Sequence, residues 1–185
     1  RALELRGVAP PGSKVRMGGG LLAEIARHVA RGRGPLKPPA ASGDEAAERD
    51  AFAAGVYHSL SEVFFFQHEQ LALLHSTFAS LNAAQRTGAV RETVNGLGSV
   101  GYAAALVGLR GVARRYRDRS LALAEEKGTL PVVAFAHQIA GTLDNALGDG
   151  DDADRSCARA EEIFGRLGDR FRWESVRSIH GYTYL

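Results

Sequence analysis

Residues 81–88 read LNAAQRTG, residues 121–128 read LALAEEKG and residues 161–168 read EEIFGRLG, three segments 40 positions apart that each end on glycine. Glycine at the close of an amphipathic stretch marks the position just past a helix end, where φ turns positive and a side chain is disfavoured. Gly88, Gly128 and Gly168 therefore predict three helices that end in register. Gly101, Gly141 and Gly181 keep the same spacing, with Ser61 one period earlier, and predict a small residue midway along the other helix of each pair, where two helices approach closely. Gly108 with Ala113, and Gly148 with Ala153, predict an interhelical turn followed by a close-packed second helix.

Working outward from these marks, helix pairs fall at about 45–65 with 68–86, 90–107 with 111–127, and 130–147 with 151–167, and a further helix begins near 170. Leu71, Leu74, Phe78 and Leu81 carry the 3-4-3 spacing of one buried helical face, a role that Leu121, Leu123 and Ala124 continue one period later. Upstream, 21–30 reads as an amphipathic helix that Met17-Gly18-Gly19-Gly20 begins loosely, and 32–43, with Pro35, Pro38 and Pro39, reads as a Pro/Gly-rich loop or linker. The expected fold is all-α. Its domains run as preceding helices at 1–31, the linker at 32–43, and repeats at 44–185 divided near 88, 128 and 168. Antiparallel helix pairs stack into a solenoid with a period of about 40 residues.

Composition fits a soluble globular chain, since 45% of its 185 residues are hydrophobic and 24% charged. Twenty-three basic residues against 21 acidic ones leave a charge of +2, which is no electrostatic footprint for a phosphate backbone. Lysine occurs only at 14, 37 and 127 while alanine, glycine and arginine abound, the bias of GC-rich bacterial coding. A lone cysteine, Cys157, forms no internal disulfide, so a reducing cytoplasm is the default expectation, and no apolar run has the length of a membrane span. Arg1–Gly7 lacks a start methionine or signal core and 178–185 reads as helix without a cap, so the chain is expected to be cut at both ends, with a bare terminal face that invites self-association.

The small residues of the copy near Val94, namely Gly101, Gly108 and Ala113, followed by Leu121, fall where tetratricopeptide units carry glycine, glycine, alanine and leucine. The stretches Gly111-Val112-Ala113-Arg114-Arg115-Tyr116, Leu121 to Gly128, Leu167-Gly168-Asp169-Arg170 and Arg172-Trp173-Glu174 resemble the tetratricopeptide-like repeat region of large bacterial regulators. Those regulators join a nucleotide cyclase-like domain and an AAA-type ATPase to the repeats. The resemblance covers nearly the whole chain and implies a signalling scaffold, with cyclase or ATPase chemistry confined to domains outside this segment.

The remaining constellations read as structural. Met17-Gly18-Gly19-Gly20 follows no strand and lacks a Gly-Lys-Ser/Thr, so it is no phosphate loop. His58 with Glu62, or His68 with His75, could share a helical face, yet the ligand set for a metal is incomplete. Cys157 has no base assigned to it and reads as a small buried filler. Asp149 to Asp154 lacks calcium-loop spacing, and Asp151 or Asp152 reads as a helix N-cap. Of Phe64, Phe65 and Phe66 one could lie exposed, with packing against the 21–30 helix preferred.

Arg110, Arg114, Arg115 and Arg117 make a basic helix and are the candidate partner contact, set against a solvated face paired with Asp118, Glu125 and Glu126. No catalytic, metal or cofactor residue is assigned and no cofactor is expected. The leading function is a non-catalytic protein–protein interaction or sensor-relay module, its partner a protein, a peptide or adjacent domains of the same chain, with no membrane partner. Two alternatives stand beside it. One is a small-molecule pocket around His58, Phe65, His68 and His137, and the other is nucleic-acid binding through Arg110 to Arg119.

Overall fold

The computed structural model describes residues 14–31 and 45–184, so the 32–43 linker and the first residues lie outside the described residues. The described residues form helices α1 (Lys14–Arg31), α2 (Glu45–Phe66), α3 (Gln70–Thr87), α4 (Val90–Leu106), α5 (Arg110–Lys127), α6 (Leu130–Leu147), α7 (Gly150–Leu167) and α8 (Arg170–Gly181), then a 3-10 turn at Tyr182–Tyr184. No strand occurs among them, so the protein is all-α.

Its connections reuse one backbone device. At the α4–α5 joint the Gly108 N–H bonds to Ala105 O at 3.0 Å and the Leu109 N–H to Ala104 O at 2.9 Å, the paired bonds of a Schellman motif. The Arg110 N–H then returns to Gly108 O at 2.9 Å, closing an inverse γ-turn at Leu109 (φ −82°, ψ 61°) that launches the next helix. The paired bonds recur around Gly148 and Gly168, the return bond recurs from the Arg170 N–H to Gly168 O at 3.0 Å, and all three glycines hold φ between 70° and 79°.

His68 takes the matching place between α2 and α3, at φ 57° without being glycine. A left-handed non-glycine residue costs roughly 1–2 kcal/mol, and glycine gives back about 0.5–1 through its looser unfolded chain. His68→Gly is therefore expected to raise the stability of the α2–α3 hairpin by about 0.5–1 kcal/mol. Circular-dichroism melts test the sign; a lower midpoint would show that the imidazole holds contacts worth more than the strain.

Gly128 departs from the expectation of positive φ. It is extended, at φ −81° and ψ 156°, and Thr129 behind it is extended as well. The Gly128 N–H keeps a helical bond to Ala124 O at 2.8 Å, and the chain then runs extended through Thr129, the N-cap of α6, so an extended joint replaces the left-handed reversal. Glycine still serves there, since a Cβ at Gly128 would stand 2.5 Å from Ala124 O.

The chain divides into two compact units, Arg1–Gly96 and Leu97–Leu185, with the division inside α4. In the first unit α3 is the central helix, covered by α1 and α2. Its deepest residues are Leu81 of the predicted face together with small or polar ones, Ala72, Ala79, Ala83 and Ala84 with Ser76, Ser80 and Asn82, while Leu71, Leu74 and Phe78 are only half-buried. The predicted face is thus kept at Leu81 and displaced elsewhere, because Ala53, Ala54 and Tyr57 of α2 seat against the alanines and bring the helices close enough for the Ser80 hydroxyl to donate to Ala54 O at 2.8 Å. On the other side, the Asn82 amide donates to Glu24 O at 2.9 Å and to its carboxylate at 2.7 Å, and Arg31 donates to Asn82 O at 3.0 Å. Met17-Gly18-Gly19-Gly20 lies inside α1 and not ahead of it. Because α1 packs on α3, Phe65 and Phe66 at the end of α2 stay exposed, stacked edge to face on one another at 5.5 Å between centroids.

In the second unit α5, α6, α7 and α8 follow one another, each packed on the next, and their two-residue connections make neighbours antiparallel. Its core is alanine-rich, with Ala113, Ala134, Ala140, Ala153 and Ala160 around Leu143, Ile163, Phe164 and Val176. Two of the midway glycines mark close crossings. A Cβ at Gly101 would lie 2.9 Å from Leu143 Cδ1, and one at Gly141 would overlap Cys157 Sγ. Gly181 differs: it is exposed with nothing within 4 Å of its missing side chain, because among the described residues no helix follows to cross it.

Candidate functional site

The arginine-rich helix α5 draws attention first because its 110, 114 and 117 positions, spaced four and three apart, share one face. That face looks onto the start of α7. Arg114 holds the Asp149 carboxylate in a fork, Nη2 to Oδ1 at 2.8 Å and Nε to Oδ2 at 2.9 Å. Arg110 donates to Leu147 O, the last carbonyl of α6, and lies 3.6 Å from Asp149. Arg117, with only 14% of its side chain exposed, pairs with Asp144 of α6, with Asp118 at 2.9 Å and with Asp152 at 3.3 Å. The arginines therefore pair mainly with acids some 30 residues further on and less with Asp118, Glu125 and Glu126. Glu125 receives His137 at 3.0 Å, and Glu126 lies 3.6 Å from Lys127.

Asp144 is 1% exposed and its second oxygen, Oδ2, has no hydrogen-bond partner among the described residues. Burial lifts its carboxyl to about 6 despite Arg117, with Asp152 and Asp149 adding to the rise. Arg117 in turn is held above the ordinary arginine value, since its bonds to Asp144 and Asp118 outweigh the opposing effect of burial. Together these groups line an open cleft of about 580 Å³ whose walls are Arg114, Arg117 and Arg155 against Asp149, Asp151 and Asp152. Three positive and three negative side chains leave it without a net sign.

The N-cap position of α7 belongs to Asp149 and not to Asp151 or Asp152, and its carboxylate is occupied by Arg114 and makes no capping bond. Asp151 and Asp152 fall in the first turn, where the helix dipole favours them. Of the four arginines named from the sequence, Arg115 alone is exposed with no ion pair among the described residues.

The other sequence-derived groups are placed as follows. In the first unit the His58 ring nitrogen lies 3.3 Å from the Asn95 amide and 3.8 Å from Glu62, the shared face expected of that pair. His75 is buried, edge-on to Tyr57 at 6.0 Å, and burial holds it below the ordinary histidine value. His68 serves the backbone joint. In the second unit the Cys157 thiol is fully buried, and burial, reinforced by Glu161, Asp154 and Asp144, pushes it up to about 11, far from a nucleophilic thiolate. Among the described residues no three His, Cys, Asp or Glu side chains are placed to hold a metal ion, and no helix is long and apolar enough to cross a membrane.

Sequence reading missed the His180 cluster. The imidazole Nδ1 lies 2.7 Å from Glu161 and Nε2 2.9 Å from Asp154, and the Tyr184 hydroxyl donates to Asp154 as well. The spacing of Asp154 and Glu161, two helical turns apart on one face of α7, was the signal available. No family model, curated protein or solved structure matches this chain.

Proposed function

We propose that this chain is a helical-repeat module that acts by contact, binding a protein or peptide or relaying orientation between attached domains, without bond-making chemistry. The observation that supports this reading best is recurrence. Helices open at Gln70, Val90, Arg110, Leu130, Gly150 and Arg170, twenty residues apart, so helix pairs return every 40. Pairs joined by one repeated turn and packed through alanine and glycine are units of a tetratricopeptide-like solenoid, an architecture whose extended surfaces bind partners. The resemblance of the sequence to the repeat region of cyclase- and ATPase-bearing bacterial regulators fits the same reading, in which the segment would belong to a cytoplasmic signalling protein. Pairing of Arg110, Arg114 and Arg117 with aspartates weakens the nucleic-acid alternative, because cations already neutralised release few counterions from a phosphate backbone.

Of the four arginines named as the candidate contact Arg115 is the one left for a partner, and its reversal tests the reading without disturbing the internal pairs. Capture from lysate by the segment within its parent chain is expected to retain a protein that Arg115→Glu loses at unchanged helicity. Recovery of nucleic acid or a small molecule and no protein would overturn it.

A further inference from the structure

The densest polar cluster outside the α5–α7 cleft is the one around His180 in the second unit. A neutral imidazole has one N–H and one lone pair, so it can satisfy one carboxylate and must repel another. His180 faces a carboxylate at each ring nitrogen, Glu161 at 2.7 Å and Asp154 at 2.9 Å, and this geometry demands the doubly protonated ring. The side chain is largely covered, at 17% exposed, and Tyr184 stacks beside it at 5.6 Å between ring centroids while bonding to Asp154. The end of α8 is thereby tied to α7 through the imidazolium, and the 3-10 turn Tyr182–Tyr184 through the Tyr184 hydroxyl on the same Asp154 carboxylate.

We propose that the His180 imidazolium, clasped between Glu161 and Asp154 with Tyr184 closed over the second carboxylate, is a proton-operated latch that holds the end of α8 and the 3-10 turn on α7. Loss of the proton sets a lone pair against one carboxylate and lets the segment go, exposing an acidic pair on α7. The groups that face the ring are Glu161 and Asp154 from α7 and Tyr184 from the 3-10 turn. Behind them Arg155 acts on Asp154, and Cys157 lies between the two acids on the same helix. From α6 the neighbour is the neutral Asn145, whose amide donates to Ile179 O at 3.1 Å.

The direction of the titration follows. Burial opposes the charged ring, but the bonds to Asp154 and Glu161 outweigh it and raise His180 above the ordinary histidine value of about 6.5. A group raised in the folded state contributes its full stability below its unfolded pKa and loses it as pH rises through the folded one. The latch is closed below the ordinary histidine value and opens as pH rises through the higher folded one. This inference goes beyond the contact reading and does not depend on it.

A nuclear magnetic resonance pH titration of the whole chain tests the latch. The His180 ring carbons and the Tyr184 ring signals are expected to move together with one midpoint above about 6.5, and amide exchange at 182–184, corrected for its intrinsic pH dependence, to accelerate across that midpoint. Glu161→Gln is expected to lower the midpoint, and His180→Gln to abolish the step at Tyr184. A His180 midpoint at or below the ordinary value, Tyr184 signals that ignore it, or a Tyr184 step that survives His180→Gln would overturn the proposal. If His180→Gln does not fold, the midpoint shift in Glu161→Gln decides alone.

Discussion

Arg117→Met is expected to destabilise the second unit by about 3–5 kcal/mol, the usual result of removing one partner from a buried ion pair. Methionine fills much the same volume as the arginine stem, so packing is largely kept and the loss falls on Asp144. That carboxylate is 1% exposed, has one oxygen unpartnered and is already raised to about 6 with Arg117 in place. Without the guanidinium it keeps only Asp149 and Asp152 as charged neighbours, both of its own sign. Its pKa rises further, and a raised carboxyl loses stability as pH climbs through its folded value. The deficit of Arg117→Met should therefore shrink at pH 5, where a proton replaces the guanidinium, and widen at pH 8. Trp173, the one tryptophan, sits on α8 against Gly165 of α7 and reports unfolding of this unit by its fluorescence. Arg117→Met/Asp144→Leu, which removes both charges, is expected to recover most of the loss, as apolar replacements of buried pairs commonly do. A deficit that is independent of pH and unrelieved in the double variant would place the role of Arg117 with Asp118 and Asp152 instead.

The inward use of α5 also shows where sequence reading stops. Positions 110, 114 and 117 lie on one face by spacing alone, and 115 lies off it, so the partition of the arginines was legible. What they face was not, because Asp144 and Asp149 stand 27 and 35 residues away from Arg117 and Arg114, and only the α5–α6 connection, which folds α6 back along α5, brings them near. Joints were the most legible part, since a left-handed backbone residue leaves its mark as glycine at 108, 148 and 168. They fail as signals where the joint runs extended, as at Gly128 and Thr129, or where histidine tolerates the strain, as at 68. Buried faces were read only in part in α3, where Leu81 is fully buried but alanines and hydroxyls share the centre and Leu71, Leu74 and Phe78 sit at its margin. A periodicity argument weights large apolar residues, whereas close helix crossings select small ones. The His180 clasp was missed for a different reason, as the spacing of its two acids marks only an ordinary surface face of α7 until α8 folds back on it.

Close crossings can be tested where glycine and cysteine meet. Gly141→Ala is expected to cost about 1–3 kcal/mol, the range for an added methyl in a filled core. Its Cβ would overlap the sulfur of Cys157, which is fully buried and cannot swing aside, since a helical side chain is confined to rotamers that avoid the preceding turn. Relief requires α6 and α7 to part, yet they are pinned at one end by the Gly148 turn and along the seam by Ala153 and Ala160. Cys157→Ala taken alone removes one buried sulfur and is expected to cost about 1 kcal/mol through the small void it leaves. In Gly141→Ala/Cys157→Ala the new methyl enters that void, so each change repairs the defect made by the other. The double variant should be at least about 1 kcal/mol more stable than the sum of the single losses predicts. Denaturant unfolding followed at Trp173 measures all three. Additive losses would mean that the helices have room to separate at Gly141, and the seam would then be held by the alanines and the turn and not by contact between the glycine and the sulfur.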